Sequence, residues 1–186
     1  MSLTSLWLPI VVAAVCVQIT STLSWMVLRL HRNDWAKLDD EDSVMSAIRA
    51  AGAGKGEYTF PFSAGPEDWK DEAWQAKFKE GPVGFLTLAQ PGEMAIGKSM
   101  AVYFVYLLIL QSLVAYVASV TLSAGAECLA VFQIVGTVAI LAFAGGSPPN
   151  AIWLHRKWSN IWREIFDGVV YGLVTGAVFC WLWPAG

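Results

Sequence analysis

The stretch WSNIWREIFDGVVYGLVTGAVFCWLW, Trp158–Trp183, governs how the rest of the chain is read. Within it Gly168, Gly172 and Gly176 recur every fourth residue inside an apolar run. In water each glycine would weaken a helix by about 1 kcal/mol relative to alanine. In lipid, apolar side chains gain little by hiding from hydrocarbon, and the same spacing leaves a groove into which a second helix can press its backbone. The first half carries Trp158, Trp162, Arg163 and Glu164, an amphipathic pattern suited to a membrane interface. The segment predicts a spanning helix with a packing face.

Composition extends this to the whole chain. Of 186 residues, 56% are hydrophobic and only 15% are charged, and the mean hydropathy is +0.51. These values exclude an ordinary soluble domain. Met1–Leu28, Ser99–Ala126 and Cys128–His155 contain no Asp, Glu, Lys or Arg. Each is long enough for a spanning helix of roughly 20 residues. The predicted class is an all-α integral membrane protein with four transmembrane helices and a small cytoplasmic loop domain. Residues 1–29 form the first helix and 30–98 the loop domain. Residues 99–186 hold three further helices, with an interfacial segment at 148–166. Trp153, Trp158, Trp162, Trp181 and Trp183 are the expected interfacial anchors.

All 12 Lys and Arg fall within Arg29–Lys98 and Arg156–Arg163, which four spans place on one side of the bilayer. The positive-inside rule makes that side cytoplasmic and both termini external. The first helix is read as an uncleaved anchor, because the basic residues follow its apolar run instead of preceding it.

The loop contains an acidic start, Asp39–Ser43, to a short amphipathic helix, then an extended Tyr58–Phe62. A helix from Pro66 to about Glu80 and a short strand at Phe85–Leu88 follow. Trp69, Trp74 and Phe78 make a candidate apolar stripe, so a small folded cap is expected. The cluster Gly52-Ala53-Gly54-Lys55-Gly56 departs from a phosphate loop, since Gly56 stands where the hydroxyl residue belongs.

Chemistry-bearing patterns are sparse. The three cysteines Cys16, Cys128 and Cys180 read as buried small hydrophobes. His31 and His155 lie beside arginines and read as solvated or lipid-facing. Asp167 and Glu164 share a helix face at the membrane edge, with Arg163 or a loop cation as partner. With no charge expected deep in a span, an ion or proton pump is disfavoured. No metal, cofactor or nucleic-acid partner is expected, and neither is enzymatic activity.

Gly56-Glu57-Tyr58-Thr59-Phe60-Pro61, Gly81-Pro82-Val83-Gly84, Pro91-Gly92-Glu93-Met94-Ala95-Ile96-Gly97-Lys98, Ala151-Ile152-Trp153, Asp167-Gly168 and Trp181-Leu182-Trp183-Pro184 resemble the landmarks of a family of uncharacterised bacterial integral membrane proteins. That resemblance spans nearly the whole chain. It implies a four-helix fold in a bacterial inner membrane, and no activity.

The function expected from the sequence is that of a structural or accessory subunit in a homo-oligomer or larger membrane complex. Its packing faces would be Gly168, Gly172 and Gly176 together with Ala115, Ser119 and Ser123, partnered within the chain or across subunits. The alternative is a channel or transporter for a small uncharged or weakly charged solute, using Gln18, Gln111 and Gln133 along a polar cavity. A third possibility is an interfacial lipid-modifying enzyme with Asp167, Glu164 or His155 as acid or base, which would require a headgroup-sized pocket beside Asp167.

The orientation is open to a direct test. Alkaline phosphatase fused after Gly186 is expected to be active and a fluorescent protein at that position dark; the opposite pattern reverses the topology.

Overall fold

The structure, a computed structural model, describes residues 1–186. It divides into two compact units, Met1–Trp35 with Ala95–Gly186, and Ala36–Met94. The first unit opens with a short 3-10 turn at Leu3–Leu6 that runs into α1, Trp7–Thr22. A π-helical turn, Leu23–Val27, ends this helix. Arg29 then takes a left-handed conformation, φ 51°, and the chain folds back through His31 and Asp34, both buried against the bundle. The division therefore falls after Trp35, not at residue 30, because buried side chains tie 31–34 to the helices.

In the second unit come α2 (Glu41–Ala50), β1 (Gly56–Phe60), α3 (Glu72–Glu80) and β2 (Gly84–Leu88). Each helix starts on an aspartate that accepts from a backbone amide, Asp40 from Ser43 at 3.1 Å and Asp71 from Trp74 at 2.7 Å. These caps satisfy donors that a helix start would otherwise leave bare. The strands pair antiparallel, Gly56 opposite Leu88 and Phe60 opposite Gly84. No residue from 36 to 94 is fully buried. Trp74 is half-buried, stacks on Phe78 and donates its indole N–H to the Phe62 carbonyl at 2.9 Å. Trp69 and Phe78 stay exposed. The expected stripe thus encloses no core, and caps and hairpin pairing define the unit.

The chain returns to the first unit as α4 (Ile96–Thr121), α5 (Cys128–Ala144), α6 (Pro148–Leu154) and α7 (Trp158–Trp181). Four helical stretches are long and apolar enough to cross a membrane: Leu3–Val27, Ile96–Thr121, Cys128–Leu154 and Trp158–Trp181. Their shared core uses compact side chains, among them Ala13, Val114, Ala118, Val131, Val135 and Phe179. The interfacial segment expected at 148–166 is divided. His155, with φ 52°, closes α6, and α7 starts three residues later.

The glycine face of α7 lies on α5. A Cβ at Gly168 would sit 2.9 Å from the Ala144 backbone nitrogen. One at Gly172 would fall within 2.8 Å of the Ile140 nitrogen, and one at Gly176 within 3.1 Å of the Phe132 carbonyl. This corrects the assignment of Ala115, Ser119 and Ser123, or of another subunit, as the facing surface. Ala115 and Ser119 are buried elsewhere, on α4. Small residues let these two backbones approach closely, and dispersion along that line replaces the hydrophobic effect that lipid does not supply.

Two further expectations change. Cys128 and Cys180 are joined in a disulfide between the start of α5 and the end of α7, and only Cys16 is free. Trp183 does not project as an anchor. It is half-buried and donates its indole N–H to the Ser123 carbonyl at 3.1 Å, whereas Trp153, Trp158, Trp162 and Trp181 are exposed.

Gly172→Ala should lower thermal stability in detergent by about 1–3 kcal/mol, as overpacking does. Gly97, also helical but with open space around its Cβ position, should tolerate alanine or gain up to about 1 kcal/mol. Equal melting of both variants and the wild type would dismiss the close α5–α7 approach.

Candidate functional site

At the end of the bundle that carries the basic residues, α7 brings Asn160, Arg163, Asp167 and Tyr171 to one face through spacings of three and four. Asp167 is the tenth residue of α7, so at 1.5 Å per residue it stands about 14 Å from the helix start and about 21 Å from its end. A carboxylate at that depth needs partners. Ser24 supplies one: its hydroxyl lies 2.9 Å from both carboxylate oxygens. The Tyr171 hydroxyl donates to Oδ2 at 3.0 Å.

The third partner is His31. Its Nε2 is 3.1 Å from Asp167 Oδ2 and its Nδ1 is 2.7 Å from Asp34 Oδ2. Asp34 in turn receives Arg163 at 2.6 Å on Oδ1, while its backbone carbonyl accepts from Asn160 at 3.0 Å. The Trp25 ring stacks on the imidazole, centroids 3.8 Å apart and planes 3° from parallel. His31, Asp167 and Asp34 are only 4%, 5% and 8% exposed.

The proton inventory of this line follows from its geometry. Both imidazole nitrogens face carboxylate oxygens, and a lone pair against an ionised oxygen would repel. One proton must therefore lie between His31 and each aspartate. With the ring doubly protonated, two positive groups, His31 and Arg163, balance two negative ones, Asp34 and Asp167. The alternative tautomer moves the Nε2 proton onto Asp167 and leaves the inventory unchanged. Burial pushes the Asp34 carboxyl up, but the hydrogen bonds and charges of His31 and Arg163 outweigh it and hold it below the ordinary carboxylate value. Ionised Asp34 thus stabilises the folded chain above its unfolded pKa, a contribution lost as pH falls through the lowered folded value.

This local order comes from the π-helical turn and the reversal after it. A wide turn at 23–27 aims Ser24 inward, and the left-handed Arg29 swings His31 back beneath Trp25. Such single π turns often mark functional positions.

Asp167 and His31 form part of the wall of an open cavity of about 460 Å³. Ser21 and Trp25 reach it from the α1 side, Tyr103 and Tyr106 from α4, and Phe143 from α5. Ser147, Glu164 and Tyr171 complete its polar edge. The volume lies within the range of small-ligand pockets.

The structure revises most of the residues expected to act. His31 is neither solvated nor lipid-facing. Asp167 is buried within α7, and its partner from outside the helix is His31. Glu164 pairs with Arg156 of the link before α7, a loop cation as expected, and not with Arg163. His155 is exposed and does not line the cavity. The three glutamines do not converge. Gln111 is fully buried and donates to Thr175 at 2.9 Å, Gln18 is half-buried on α1, and Gln133 is exposed on α5. None of them lines the cavity. From the first helix and the turn that ends it, Ser21 and Trp25 line it instead.

Comparison with protein-family models, curated proteins and solved structures finds no match.

Arg163→Gln would leave the buried Asp34 without its guanidinium, an expected loss of about 3 kcal/mol in unfolding experiments, as for other broken buried pairs. Asp34→Asn added to that variant should recover part of the loss, because no unpaired charge then remains. Additive losses in the double variant would show the two groups to be uncoupled.

Proposed function

We propose that this chain is an enzyme of the bacterial inner membrane that performs acid–base chemistry on a lipid headgroup at the cytoplasmic face. The observation that carries the proposal is the His31–Asp167 pair in the wall of a headgroup-sized cavity formed among four apolar helices. Asp167 is the group at the reacting atoms: as base it takes a proton from a water that attacks the headgroup ester bond, and it returns that proton to the alcohol that leaves. His31 holds or releases the shared proton at Nε2. Asp34 and Arg163 are positioning residues, which fix the imidazole and balance its charge. A positioned acid or base of this kind contributes about 10²–10⁴ in rate.

Two features support the orientation, with both termini outside. The six basic residues of the helical unit, Arg29, Arg32, Lys98, Arg156, Lys157 and Arg163, belong to the helix ends and links on the cavity side. The Cys128–Cys180 disulfide lies at the opposite end, and disulfides persist where the compartment is oxidising.

Gln133 favours a second role alongside the first. A glutamine exposed on a spanning helix seeks a hydrogen-bonding partner in hydrocarbon. Association with a second copy or with a larger membrane complex would provide one, through this face of α5, since the glycine groove is already filled.

In vesicles of total bacterial lipid, the purified wild-type chain is expected to change the headgroup of one lipid class, followed by mass spectrometry. Asp167→Asn should slow this by about 10²-fold or more, and Thr121→Ala, at the far end of α4, should leave it intact. A folded wild-type protein that changes no lipid, or an Asp167→Asn variant of undiminished rate, would defeat the proposal.

A further inference from the structure

We infer that the cavity receives a substituted ammonium group, and that its ligand is a zwitterionic membrane lipid whose anionic group meets Lys98. This names the substrate class for the acid–base site and rests on that assignment for its catalytic meaning, though not for binding.

The walls carry the inference. Trp25, Tyr103, Tyr106, Phe143 and Tyr171 line one space, and an aromatic ring attracts a cation through its quadrupole, although Trp25 already gives one face to His31. The charged side chains of the wall point the same way. Glu164 and Asp167 are acidic, and the only basic group is His31. His31 is already committed, with a carboxylate on each nitrogen and the Trp25 ring against its face. No free positive charge remains there for a phosphate. Because Glu164 and Asp167 also have protein partners, their pull on a ligand is partial. The rings, and not full charges, therefore supply the selectivity.

An open groove on the surface of α4, about 410 Å³, shares Tyr103 and Tyr106 with the cavity and is lined also by Val102, Ser99 and Lys98. Its lining is mainly apolar and includes an ammonium. A ligand filling both spaces has a cationic end among the rings, an anionic group near Lys98, and an apolar body lying on the exposed face of Val102 and Tyr106. That is the chemistry of an aminophospholipid. A simple hydrophobic amine would satisfy only the cavity.

The test uses the full chain in non-ionic detergent, titrated with phosphatidylethanolamine, phosphatidylglycerol or tetraethylammonium and read by native mass spectrometry. Phosphatidylethanolamine should bind at least about tenfold more tightly than phosphatidylglycerol, and Tyr106→Ala and Lys98→Gln should each weaken it by about fivefold to tenfold. Both positions are at the surface, so the variants should melt as the wild type does. Equal affinity for the two lipids would overturn the inference. So would unchanged binding in Tyr106→Ala. Displacement of phosphatidylethanolamine by tetraethylammonium with no effect of Lys98→Gln would replace the zwitterion by a simple organic cation. His31→Gln separates this from the acid–base proposal. Selective binding without turnover in the wild type counts against catalysis alone, and turnover without headgroup selectivity counts against the ammonium site alone.

Discussion

Moving an ionised carboxylate out of water into a low-dielectric interior costs several kcal/mol even after relaxation, unless charge and hydrogen bonds are supplied on the spot. Asp167 sets that requirement on α7, and much of the surrounding structure meets it. Ser24 and Tyr171 donate to it, and His31 brings the countercharge. To deliver His31, the chain must end its first helix in a wide turn, reverse at a left-handed Arg29, and return toward α7. Asp34 and Arg163 then balance the imidazole in their turn. One buried charge thus fixes the path of the chain from residue 23 to residue 34.

A cluster built this way is neutral as a whole yet able to shift a proton within itself. A proton shared between Nε2 of His31 and Oδ2 of Asp167 leaves the sum of charges the same on either atom, with the apolar surroundings favouring the neutral pair over the ion pair. His31 and Asp167 also stand in the wall of the open cavity, so the cluster is both a tie between helices and part of a surface that a small molecule could reach. Low dielectric also strengthens whatever electrostatic contact a bound ligand makes there.

The helices were legible in the sequence, because charge-free runs and their lengths are a one-dimensional signal. The glycine groove of α7 was legible too, but not its partner. Gly136 and Ala144 on α5 form a subtler pattern than Ala115, Ser119 and Ser123, and close approach depends on which helices become neighbours. The charge cluster was the least readable part. His31 and Asp34 stand beside arginines in what looks like a solvated link, and 136 residues separate His31 from Asp167. The available signal was the lone acid in the apolar run after Phe166, which demanded a cation from some other span end. The disulfide was hidden for the same reason, since Cys128 and Cys180 lie 52 residues apart and share no spacing motif.

The α5–α7 pair, pressed together at Gly168, Gly172 and Gly176 and bonded at Cys128–Cys180, has a mechanical consequence. Two rods joined along their length and riveted at one end act as a beam. Phe143 and Tyr171, edge to face at 5.4 Å, belong to that beam and form the stiff wall of the cavity. Tyr103 and Tyr106 stand on α4, which has neither glycine seam nor covalent tie to the other helices. The α1 side, with Ser21 and Trp25, is likewise untied, so the wall of the cavity is stiff along α5 and α7 and less constrained along α1 and α4.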